Sequence, residues 1–87
     1  MIDGHIVYSN VNLADSDGEQ VIAHHTYAIY IANLDTNHWI EVKLNGKHSV
    51  MIPDANGHIH NYVQIPGDYR TIEVVTASSN IVVYAIG

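Results

Sequence analysis

The sequence predicts an all-β protein: a single antiparallel β-sandwich of about seven strands, Ig-like or jelly-roll-like in its wiring. Three observations carry that expectation. Residues 20–33 contain no Gly, no Pro and no Asp, Glu, Lys or Arg, and both alternating sets of this stretch are largely apolar. Such a run, rich in β-branched and aromatic side chains, reads as a long central strand rather than a helix. Short turn sequences separate the later apolar runs, and no segment shows a helical period. Leucine occurs only at Leu13, Leu34 and Leu44, beside abundant Ile and Val, which tilts the composition towards strands.

Taken in order, residues 2–8 alternate loosely and read as a first strand at a sheet edge, and residues 10–20 read as a polar connection. The long strand over 20–33 follows, bent or bulged near His24 and His25, whose side chains point to opposite faces and read as satisfied core or interface groups. After a turn at 34–37, residues 38–44 alternate cleanly, with His38, Ile40, Val42 and Leu44 on one face and Trp39, Glu41 and Lys43 on the other. Asn45-Gly46 supplies two positive-φ positions and predicts a tight type I′ hairpin into the strand over 47–52. Pro53 and the Asn56-Gly57 pair end that strand. Residues 58–65 form the next, with Ile59, Val63 and Ile65 opposed to His58, His60, Tyr62 and Gln64. Pro66-Gly67 predicts a type II turn, 69–76 a further strand, and 81–86 a last strand that is apolar on both faces.

With 87 residues the chain is one domain, 1–87. At this size only about 60–65% of the unfolded surface is buried, so a homo-oligomer is expected to supplement a thin core. The net charge of -6, with Lys43, Lys47 and Arg70 as the only basic side chains besides histidine, argues against nucleic acid and against an anionic membrane surface. No apolar run is long enough to span a bilayer. The first residues lack the basic start and apolar core of a secretion signal, so synthesis in a host cytoplasm is expected. The absence of cysteine removes disulfides and thiolate chemistry.

His58 and His60 are the candidate metal ligands. At i and i+2 on a strand their imidazoles share a face and suit a transition ion, and three copies about a threefold axis would complete an octahedral set. The missing third ligand favours a solvated polar strand face instead, so no cofactor is expected beyond that one option at His58 and His60. Asp15, Asp17, Gly18 and Glu19 resemble the opening of a calcium loop, but an apolar strand begins where the closing Glu belongs. None of Ser9, Ser16, Ser49, Ser78 and Ser79 lies in a Gly-x-Ser-x-Gly elbow, and no paired-carboxylate cleft is expected, so the chain reads as a non-enzyme. Trp39, on the wet face of its strand, and Tyr62 are candidate contact residues, as interface anchors or sugar platforms. Ile81 and Val83 are candidate interface residues of the last strand, which is expected to be buried in the domain or against another subunit, because apolar terminal strands recruit partners.

From Ile65-Pro66-Gly67-Asp68-Tyr69 to the terminal run Ile81-Val82-Val83-Tyr84-Ala85-Ile86-Gly87, the chain resembles the endings of small virion proteins of tailed bacteriophages. In these a Pro-Gly-x-Tyr turn leads into two terminal strands, and the likeness covers mainly the C-terminal third. It implies a decoration, cement or tail-associated protein of the virion, without catalytic residues, whose partners are copies of itself or the major capsid or tail proteins. A carbohydrate-binding module that stacks sugars on Trp39 and tyrosines is the alternative.

Overall fold

A computed structural model describes residues 4–56, 61–77 and 79–87. Among them are eight strands: β1 (Ile6–Ala14), β2 (Gln20–Val21), β3 (Ala28–Asn33), β4 (Ile40–Leu44), β5 (His48–Ile52), β6 (Tyr62–Pro66), β7 (Thr71–Val74) and β8 (Asn80–Ile86). They form two four-stranded sheets, ordered β1-β8-β3-β6 and β2-β7-β4-β5, and every strand pair is antiparallel. Every connection except the β4–β5 hairpin crosses from one sheet to the other. The pairs β1/β8, β2/β7, β3/β6 and β4/β5 nest inside one another, like a long hairpin rolled up on itself. This is the wiring of a jelly roll.

The core lies between the sheets. Ile29 and Ile31 of β3 and Ile81, Val83 and Ala85 of β8 meet Ile40, Val42 and Leu44 of β4 and Ile72 and Val74 of β7, with Leu13, Ile22 and Ile52 closing the ends. The alternation of β4 is the one its sequence predicts, with Glu41 and Lys43 turned outward. The hairpin also follows its sequence. Asn45 and Gly46 have φ of 56° and 68°, and the Lys47 N–H donates to the Leu44 carbonyl at 3.1 Å.

Two expectations are corrected. The long strand over 20–33 is two strands in different sheets. Ile22 is buried from the even-numbered set and Ile29 and Ile31 from the odd set, because the chain changes sheets between them and the inward direction reverses. The N–H groups of Ile22 and Thr26 leave the ladders to bond the Arg70 carbonyl and the Asp68 side chain. The polar connection over 10–20 is likewise half strand: β1 continues to Ala14 and places Leu13 in the core. Register shifts after Ile6 and after Asn10 break the period-two pattern there, so the strand does not look like one in sequence. The acidic stretch becomes a 3-10 turn, Asp15–Asp17, in which Asp17 Oδ2 accepts the Ala14 N–H at 2.8 Å.

The fully buried Asn33 side chain is matched. The Asn33 side chain donates to the carbonyls of His38 (2.9 Å) and Ile52 (3.1 Å) and accepts the Asp35 N–H (2.7 Å). It thereby ties the end of β3 to the start of β4 and the end of β5, across the two sheets.

Candidate functional site

The strands of the first sheet contain no Asp, Glu, Lys, Arg or His. All the charged side chains of a chain with nine acidic and three basic residues therefore lie elsewhere. On the outer face of this sheet Tyr30 stands directly opposite Tyr84 across the β3–β8 pair. Ala32 lies between Tyr62 on β6 and Val82 on β8. The small alanine lets the larger neighbours wall a shallow apolar depression of about 160 Å³.

A second feature lies where the segment joining β2 to β3 crosses the segment joining β6 to β7. The Thr26 hydroxyl donates to the Gly67 carbonyl (2.7 Å) and accepts the Tyr69 N–H (2.8 Å). Asp68 Oδ1 accepts the Thr26 N–H (3.0 Å), and Oδ2 lies 2.9 Å from His25 Nδ1. Arg70 sends Nε to 3.7 Å from Asp68 Oδ1 and Nη2 to 3.1 Å from His25 Nδ1. Asn45, in the β4–β5 turn, donates to the Asp68 carbonyl (3.3 Å) and accepts the Arg70 N–H (2.6 Å). The hydrogen bond from His25, then that from the Thr26 N–H and the charge of Arg70, hold the Asp68 carboxyl below its ordinary pKa. Beside this clasp a cleft of about 480 Å³ opens between the free edges of β5 and β6.

The residues expected to act are distributed unevenly over these features. Tyr62 is 55% exposed on the outer face of the first sheet, and Trp39 is 50% exposed directly before β4 of the second. They do not share a strand layer. Ile81 and Val83 are corrected: both are 0% exposed, in the chain's own core. β8 is an interior strand of its sheet, and the residues it turns outward are Val82, Tyr84 and Ile86. His58 and His60 lie outside the described residues, and among those described no group of three or more His, Asp or Glu side chains could hold a metal. His25 is no core histidine; its side chain is 83% exposed and bonded to Asp68.

Sequence reasoning missed the clasp. Asn45 and Asp68 were readable as turn residues, but no pattern marks that the two turns touch each other and Thr26. Among the described residues no helix is long and apolar enough to cross a membrane. No family model matches the chain, and no curated protein or solved structure matches it.

Proposed function

We propose that the chain is a non-catalytic structural protein that works by docking, through the outer face of its first sheet, on copies of itself or on a larger lattice. The observation that carries this reading is the absence of charge from all four strands of that sheet, with Tyr30, Tyr62, Val82 and Tyr84 on its surface. A charged face loses hydration when covered, and this one has no ions to desolvate. Tyrosines add large, stiff, amphipathic contact area.

The size of the face argues for many copies. Four strands about 4.8 Å apart and about six residues long present on the order of 400 Å², about half of the roughly 800 Å² that each partner contributes to a stable pairwise complex. One such contact is weak; repeated around a ring or over a shell it becomes strong through multivalency. Capsid decoration or cement, or a tail-associated role in a phage virion, fits that arithmetic and the C-terminal resemblance. Jelly-roll wiring is used by capsid proteins but also by lectins, so the fold lends only a prior.

The test is native mass by light scattering and sedimentation from micromolar to millimolar concentration, with mass spectrometry of purified particles of the encoding phage. The expected result is concentration-dependent association lost in Val82→Lys and Tyr62→Lys, and the chain present in many copies per particle. A monomer at every concentration, absent from the particles, would sink the reading.

A further inference from the structure

We infer that the cleft between the edges of β5 and β6 is a binding site for a neutral saccharide, separate from the docking face. Its volume of about 480 Å³ lies within the roughly 300–1,000 Å³ of small-molecule sites and suits a mono- or disaccharide. Leu44, Val50 and Ile65 form an apolar floor. The mouth is polar on both sides, with His48 on one and Asp68 on the other.

Three properties select the ligand class. The Tyr69 ring is already fixed, because its hydroxyl donates to the Pro66 carbonyl at 2.8 Å and its N–H to the Thr26 hydroxyl. It lines the cleft, and an apolar side of a sugar packs on it without an ordering cost. Asp68 is anchored by Thr26 and His25, yet each carboxylate oxygen retains capacity for a further donor. The exposed side chain of His48, opposite the core-facing Leu44 on the cleft side of β5, makes no hydrogen bond to described residues, which leaves it to serve hydroxyl groups. The charge of Asp68 is balanced by Arg70 alongside, so neither a cation nor an anion finds an uncompensated partner. An entirely apolar ligand would strand Asp68 and His48 without water. Hydroxyl-bearing rings with one apolar face satisfy all of these groups together.

The test is a titration of the full ¹⁵N-labelled chain with glucose, galactose, mannose, N-acetylglucosamine, maltose, cellobiose and glucuronate, followed by amide shifts. The expected result is saturable shifts at Ser49, Val50, Gly67, Asp68 and Tyr69 with at least one neutral sugar. His48→Trp, which fills the mouth in place of an exposed side chain on the cleft side of β5, abolishes them, and Asp68→Asn weakens binding about tenfold. No shift with any sugar, shifts centred on Trp39 or Tyr62 instead, unchanged binding in His48→Trp, or tighter binding of glucuronate than of every neutral sugar would each overturn the assignment. None of these outcomes bears on self-association, so the two proposals fail independently.

Discussion

Thr26 and Asp68, 42 positions apart, are joined by a hydrogen bond from the Thr26 N–H to Asp68 Oδ1 at 3.0 Å. The bond ties two segments that each leave one sheet for the other. With the Thr26 hydroxyl bridging Gly67 and Tyr69, it replaces the ladder hydrogen bonds that the backbone gives up at the crossing.

Thr26→Val keeps the shape of the side chain and removes both hydroxyl bonds, leaving the Tyr69 N–H and the Gly67 carbonyl without that partner. The expected loss of stability is about 1–3 kcal/mol, read from urea unfolding. Thr26→Ser, which restores the oxygen, recovers most of it. A Val variant as stable as the parent would show that water replaces the hydroxyl at no cost.

Asp68 and Asp35 make the chain acid-sensitive in a defined direction. Asp35 is held below its ordinary value first by the Asn37 N–H and then by His38. A carboxyl whose folded pKa is depressed favours the folded state above its unfolded value, and that contribution is lost as pH falls through the folded value. The stability gap between the parent and Asp68→Asn is therefore expected to shrink as pH drops below the ordinary carboxyl value of 3.8. Urea midpoints measured from that value downward follow this, and a gap that widens there would contradict it.

Asn33 is fully buried and serves the carbonyls of His38 and Ile52. Asn33→Leu should cost about 2–4 kcal/mol, because it leaves buried carbonyls unpaired and adds apolar bulk with no partner for them. Differential scanning calorimetry of the two proteins reads the change.

The Tyr8 hydroxyl is buried with no hydrogen-bond partner among the described residues. Tyr8→Phe is accordingly expected to be neutral or to stabilise by up to about 1 kcal/mol. A clear loss in thermal unfolding would reveal a partner for that oxygen.

The sequence by itself determined the local elements. Alternation made β4 legible residue by residue, and Asn45-Gly46 made the hairpin legible, because both depend on side chains within a few positions of each other. Apolar runs punctuated by turns were enough to specify two layers of strands. Tertiary structure decided everything that depends on where distant segments meet. It broke the run over 20–33 into β2 and β3, because a chain that crosses to the facing sheet must reverse which alternate residues point inward. It also carried β1 through its bulges to Leu13, where pairing with β8 outweighs a polar stretch. Pattern alone marked β8 as apolar on both faces. Only the sheet order showed that Ile81 and Val83 fill the core while Val82 and Tyr84 face outward. The charge-free face and the Thr26–Asp68 clasp are assembled from strands and turns far apart in the chain, and no local period records such a meeting.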